Sequence, residues 1–325
     1  MGSRIVATGR AVPRTGLTNN DLERYMDTSD QWIRSRTGIG QRYLMRQGES
    51  LAQIATDASR VALERAGIKP SDLDAIIVGT VSSEYGFPSF ACQIQYGLGI
   101  STIPAFDVAA ACSGFVYAIQ VADAQMRAGD FKRVLVVGAD ALSTMVDWND
   151  RRTAVLFGDG AGACVMVTEP GNRGVLSSLL RSAGEYWTLL SVRATGTRST
   201  IDSEVRRSPD DAIQMKGPEL FKIAVKSMEE VSRLVAERAG VKLDDIDLFV
   251  PHQANMRIIS AVAERLGLPP EKVFTNIERY GNTSAASVPI ALDEALEQGR
   301  IHDGNIVMLN ACGGGLTWGA NLIRW

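Results

Sequence analysis

Short apolar runs rich in β-branched residues alternate, along the whole chain, with longer stretches in which apolar residues return every three or four positions. Residues 75–78, 134–137, 164–167, 248–250 and 306–309 are continuous apolar runs of strand length, the mark of strands covered on both faces. Residues 51–66, 92–98, 115–128, 220–239, 256–266 and 284–296 carry helical periodicity, and several end at a glycine suited to the left-handed close of a helix. Strand and helix in alternation predict an α/β layered fold with largely buried sheets.

The pattern also repeats. Glu64-Arg65-Ala66-Gly67-Ile68-Lys69 returns as Glu237-Arg238-Ala239-Gly240-Val241-Lys242, an offset of 173. Leu98-Gly99-Ile100 returns as Leu266-Gly267-Leu268, and 134–139 as 306–311, in the same order and at offsets of 168 and 172. The chain therefore reads as two copies of one α/β unit, 1–175 and 176–325. Cys112 stands 17 residues before Gly129, and Asn282 stands 17 before Gly299. Counted back from these helix ends, the two residues occupy equivalent helix starts and would approach each other across a pseudo-twofold axis.

Composition narrows the function. At 325 residues, 45% hydrophobic and 22% charged, the chain describes a globular protein larger than one typical core. A net charge of −3 without basic blocks argues against nucleic acid as a partner. The four cysteines are scattered, with no CxxC and no histidine beside them, so neither a disulfide framework nor a zinc site is expected. No run reaches bilayer length, residues 1–13 lack a signal-peptide core, and Val6 breaks the myristoylation pattern. A cytoplasmic protein that does not enter membranes is expected.

Candidate chemistry gathers at the ends of buried strands, where α/β folds hold ligands. Cys112, in Ala109-Ala110-Ala111-Cys112-Ser113-Gly114-Phe115, sits where a strand turns sharply into a helix. A thiol at a helix start is expected to have a lowered pKa and to be nucleophilic; the alternative is a small buried residue. His252, in Pro251-His252-Gln253-Ala254-Asn255, follows a strand and is either a functional imidazole or a core histidine. Asn282, in Gly281-Asn282-Thr283-Ser284, is either the third member of a Cys-His-Asn set or a plain helix cap. His302 lies in a polar turn and is expected to be exposed. Cys312-Gly313-Gly314-Gly315 reads as a tight turn or as a source of backbone N–H groups for an oxyanion. Residues 157–163, Phe-Gly-Asp-Gly-Ala-Gly-Ala, lack the setting of a phosphate loop and read as a structural turn before a strand.

AFDVAAACSGF around Cys112, VPHQAN around His252, YGNTSAASVPIALDEAL around Asn282 and the terminal GGGLTWGANLIRW closely resemble β-ketoacyl-acyl carrier protein synthase III. This is the initiating condensing enzyme of bacterial fatty-acid synthesis, in the thiolase superfamily, and the likeness runs nearly end to end. It implies a five-layered αβαβα fold, a homodimer, and a Cys112-His252-Asn282 triad that uses no metal or other cofactor. It further implies oxyanion donors at the backbone of Cys112 and Gly314, and CoA contacts at Trp32, Arg36, Arg151 and Asn255. Arg257 falls at the carrier-protein docking position. Leu142, Phe157 and Leu189 fall on the acyl pocket, and Phe87 at the residue that reaches into the partner's pocket.

The implied reaction begins with attack of Cys112 on acyl-CoA to give an acyl-enzyme. Malonyl-carrier protein is then decarboxylated, its enolate held by His252 and Asn282, and the carbanion takes the acyl group. Two departures bear on substrate. Glu264 replaces a basic residue common in the family, and 187–211, with Arg193, Arg198, Arg206 and Arg207, looks longer than usual. That segment raises a branched, longer or dicarboxylic starter as the alternative to acetyl, unless it is only a surface loop. A relative that loads an unusual starter, a cysteine hydrolase and a non-catalytic partner subunit are the rival readings.

Overall fold

The computed structural model describes residues 2–193 and 211–325. The first part of the chain forms β1 (Gly2–Ala11), β2 (Gly16–Thr18), α1 (Asn19–Leu22), α2 (Asp30–Thr37), β3 (Gln41–Tyr43), α3 (Leu51–Ala66), β4 (Ala75–Gly79), α4 (Phe90–Gly97), β5 (Ala105–Val108), α5 (Gly114–Ala128), β6 (Arg133–Ala141), α6 (Arg151–Ala154) and β7 (Asp159–Glu169). After it come β8 (Gly174–Ser182), β9 (Leu190–Ser191), β10 (Gln214–Met215), α7 (Gly217–Ala239), β11 (Leu248–Pro251), α8 (Met256–Leu266), α9 (Ile277–Tyr280), α10 (Ser287–Glu297), β12 (Ile306–Gly313) and β13 (Thr317–Arg324).

Two sheets organise these elements. The first runs β1-β7-β6-β4-β5, with β4 parallel to both neighbours and the β6–β7–β1 side antiparallel. The second runs β11-β12-β13-β8 with the same directions: β11 and β12 parallel, then antiparallel to β8. The counterpart of β5 is reduced to a single parallel bridge between Phe249 and Val273.

Side-chain alternation explains why these runs are apolar throughout. On β4, Ala75 and Ile77 enter a central core with Phe115, Val288 and Leu292 of α5 and α10, while Ile76 and Val78 face α3 and α4. On β12, Val307 and Leu309 face the same central helices, and Met308 faces α7 and α8. The result is five layers: α3 and α4, the first sheet, α5 and α10, the second sheet, α7 and α8. This is the layered α/β fold that the sequence predicts.

Three sheet strands escape a search for apolar runs. β1 alternates buried and half-buried positions, and β8 and β13 carry Ser177, Ser178 and Asn321 inside the sheet. The Asn321 side-chain amide donates there to Ser178 Oγ across the ladder at 2.9 Å. Residues 157–163 are not a turn, since β7 begins at Asp159. A Cβ at Gly162 would lie 2.7 Å from that of Pro289, so the bare strand lets α10 settle against it.

Each central helix is entered through a 3-10 turn, Ala111–Ser113 before α5 and Ser284–Ala286 before α10. Ala111 and Ser284, with φ of 45° and 52°, are the two non-glycine residues of positive φ among the described residues. The backbone therefore matches Ala111 with Ser284, and Cys112 with Ala285. Asn282 stands three residues ahead of the position matched to Cys112. Counting from the helix ends misplaces it, because α10 has 11 residues and α5 has 15.

Candidate active site

Cys112 lies in the turn that links β5 to α5 and is 5% exposed. Its thiol is pushed up to about 12, above the usual cysteine value, chiefly by burial. The lowered pKa expected of a helix start is overturned: the thiol is desolvated, and α5 itself begins two residues later. The Ser284 hydroxyl donates to Cys112 Sγ at 3.3 Å and works against the burial effect.

His252 continues from β11 and is 2% exposed. Its backbone N–H donates to Asn310 O at 2.7 Å, and its Nδ1 lies 2.5 Å from Ser287 Oγ. Burial pushes its pKa down to about 3, so the imidazole is neutral near pH 7. Where the Ser287 hydroxyl donates to Nδ1, the ring proton sits on Nε2, and that nitrogen acts as a hydrogen-bond donor.

Asn282 is held by its backbone on both sides: its N–H donates to Leu156 O at 2.9 Å and its carbonyl accepts from Gly158 N at 3.0 Å. Its side-chain Oδ1 accepts from Ser284 N at 2.9 Å. That bond identifies the oxygen and leaves the amide N–H groups as the outward donors.

Cys112, His252 and Asn282 all line one cavity of about 600 Å³, together with Asn255, Arg257, Phe157 and Cys312. Asn255 caps α8 by accepting Arg257 N–H at 2.9 Å, and it donates to Arg36 O at 3.1 Å, so α2 is tied to the cavity. The Arg36 guanidinium carbon lies 4.6 Å from the centre of the Trp32 ring, and that of Arg151 lies 5.0 Å from it. The three side chains form a cationic aromatic cluster. Among the described residues, no acidic side chain pairs with Arg257, whereas Arg265 is bound to Glu229 at 3.1 Å.

A second cavity of about 370 Å³ meets the first at Cys112 and Phe157, and Leu142 and Gly314 line it. Leu190, not Leu189, lines both cavities. Leu189 turns instead into the core beneath α7. Gly313 lies against the Cys112 turn: a Cβ there would be 2.6 Å from Cys112 N. Phe87 is 88% exposed and lines neither cavity within this chain, and His302 is exposed as expected. Among the described residues, no group of three or more His, Cys, Asp or Glu converges as metal ligands would, and no helix is long and apolar enough to cross a membrane. Arg198, Arg206 and Arg207 lie outside the described residues.

Sequence reasoning missed Ser284, Ser287 and the buried Asp140. The two serines sit in a run of small residues that reads as a turn, and nothing local marks Asp140.

The family model described as 3-oxoacyl-[acyl-carrier-protein (ACP)] synthase III matches residues 106–184, and its C-terminal counterpart matches residues 236–325. The β-ketoacyl-[acyl-carrier-protein] synthase III of Aquifex aeolicus is 48% identical over 325 residues, covering 100% of both chains. A crystal structure of 3-oxoacyl-[acyl-carrier-protein] synthase III from that organism covers 100% of both chains with a TM-score of 0.93. The priming β-ketosynthase of the R1128 polyketide pathway also reaches 0.93, but at 31% identity, over 99% of this chain and 96% of its own. Fold similarity alone does not separate these two relatives; sequence identity does. The chain belongs to the β-ketoacyl-[acyl-carrier-protein] synthase III family.

Proposed function

We infer that this chain transfers an acyl group from acyl-CoA to Cys112 and condenses it with malonyl-acyl carrier protein, with loss of CO₂, to start a fatty acid. The observation that carries this reading is the meeting of a buried thiol, a neutral imidazole and an oriented amide on one cavity. Cys112 Sγ attacks the thioester carbon, and the backbone N–H groups of Cys112 and Gly314 receive the oxyanion. CoA leaves, and the acyl chain rests in the second cavity. Nε2–H of His252 and the amide of Asn282 then donate to the thioester oxygen of the malonyl group as decarboxylation makes it an enolate. Neutral donors suit that step, because each acts on charge that develops only in the transition state.

At the cavity mouth, Trp32, Arg36 and Arg151 suit the adenine and phosphates of CoA, with Asn255 fixing their approach. Arg257, without an acidic partner among the described residues, suits an acidic carrier protein. The described lining of the second cavity, which includes Leu142, Phe157 and Leu190, carries no charged side chain. This favours an apolar acyl group over a dicarboxylic one. Exposed Val81, Trp187 and Val192 at that cavity, with Phe87 and Tyr85, suit a homodimer in which Phe87 of one copy closes the other's acyl cavity. The division of the chain into units 1–175 and 176–325 rests on the repeat and on the matched strand directions. A cytoplasmic site of action fits substrates made there.

The test is product analysis with acyl-CoA and malonyl-carrier protein. A β-ketoacyl-carrier protein formed with one CO₂ supports the reading. Hydrolysis of acyl-CoA without C–C bond formation would sink it in favour of a hydrolase.

A further inference from the structure

Against the loop that carries Asn282 lies a buried cation that the reaction above does not use. Arg42, in the middle of β3, has a fully buried side chain. Its Nη1 donates to Asn19 Oδ1 at 2.7 Å and to Leu17 O at 3.3 Å, and its Nη2 donates to Val155 O at 2.8 Å. Burial pushes its pKa down to about 10, so the guanidinium keeps its charge near pH 7. Asn19 stands between it and the nearest acid, its own amide donating to Asp30 Oδ1 at 2.9 Å. Nε finds no acceptor among the described residues. A well-packed apolar side chain in place of a buried charge often leaves a fold as stable or more so. Stability alone therefore does not account for the arginine.

The carbonyl it holds leads to the site. Val155 closes α6 and runs into residues 156–158, which pair with Asn282 over a single parallel rung. Asn282 N–H donates to Leu156 O at 2.9 Å, and Gly158 N–H donates to Asn282 O at 3.0 Å. An isolated rung is weak by itself. The stem of Arg42 packs on both sides of it. A Cβ at Gly281 would lie 3.2 Å from Arg42 Cβ and 3.0 Å from Leu156 O, and one at Gly158 would lie 3.1 Å from Arg42 Cβ. Two bare glycines thus let the rung settle on the arginine stem, while the guanidinium fork grips the carbonyl at its start.

We propose that Arg42 is a positioning residue of the condensation step, holding the rung that aims the Asn282 amide at the thioester oxygen. This rests on the condensation reading above. Arg42 lines neither cavity and acts only through Asn282. Its planar fork fixes Leu17, Asn19 and Val155 at once, which the compact ammonium of a lysine cannot do. The Cys112 turn is closed by its own bond, Ser113 N–H on Ala110 O at 3.0 Å, and among the described residues it shares no hydrogen bond with Arg42. The effect therefore falls on decarboxylation and spares acyl loading.

The test is a double-mutant cycle of Arg42→Lys and Asn282→Ala. Acyl-Cys112 formation is followed by rapid-quench mass spectrometry, and CO₂ release from malonyl-carrier protein is followed separately. Arg42→Lys should lower kcat for decarboxylation by about 30-fold, with KM and loading each within about threefold of wild type. In the Asn282→Ala background the same substitution should cost less than about threefold more, because the group it positions is already gone. Equal losses in the two half-reactions, the full loss repeated without Asn282, or no loss at all would each overturn the proposal. If Arg42→Lys fails to fold, as circular dichroism would show, Arg42→Met carries the same cycle without a charge to bury. Loss of fold in both would make Arg42 a residue of the scaffold and overturn the proposal too. A wild-type protein that loads an acyl group but releases no CO₂ would overturn the underlying reading, and the role of Arg42 with it.

Discussion

The turns that enter α5 and α10 share a backbone and differ in chemistry. Both are 3-10 turns opened by a strained non-glycine residue, Ala111 in one and Ser284 in the other. The first turn presents a thiol at the next position, where the second has only Ala285. The second supplies what the first lacks: a hydroxyl at the strained position, Asn282 just before it and Ser287 just after. The two turns pack against each other, as two copies of one unit would place them. On the function proposed above, activity draws on the places where the two turns differ, with the proposed nucleophile on one turn and the hydrogen-bond donors around the other.

If the second turn serves decarboxylation rather than acyl loading, Asn282→Ala and His252→Ala should each slow condensation by about 10²- to 10³-fold, the usual effect of deleting one donor to a developing oxyanion. Acyl-Cys112 should still form at near wild-type rate, as intact mass would show. Loss of loading in these variants would merge the two turns into one functional unit. Ser287→Ala should have a smaller effect, about tenfold on condensation, because it frees Nδ1 and lets the ring proton move from Nε2; steady-state kinetics would register it. Gly162→Ala, which crowds Pro289 under α10, should cost about 1–3 kcal/mol and lower Tm without changing the ratio of the two half-reactions.

The buried imidazole also gives the second region a pH signature. His252 has a folded pKa of about 3, below its ordinary value near 6.5, so the unfolded chain takes up this proton first. Its contribution is fully present above pH 6.5 and is lost as pH falls from there towards 3. Denaturant titrations should show a decline across that window that is smaller in His252→Gln. An identical pH dependence in the two proteins would mean that burial does not hold the ring neutral.

Much of this was legible beforehand. Helices α3 and α8 match the predicted ranges residue for residue, because their apolar stripes and closing glycines are local signals. Cys112, His252 and Asn282 stood out as candidates from motifs at strand and helix ends, and the structure brings all three to one cavity. Leu190 was not distinguished from Leu189, since which of two adjacent leucines faces a cavity depends on the backbone direction at β9. Ser284 and Asp140 were invisible for another reason: their partners lie 172 and 145 residues away, and only the packing of the two units joins them. The thiol pKa was misread because a helix start is a local feature and desolvation is not.

Intact-protein mass spectrometry after incubation with a panel of acyl-CoAs, on wild type and Cys112→Ala, goes most directly to the nucleophile. One acyl adduct on wild type, carried by an apolar acyl group and absent from the variant, is the expected result. An adduct that persists in Cys112→Ala, or none from any acyl-CoA, would contradict the assignment of Cys112 and with it the division of labour between the turns.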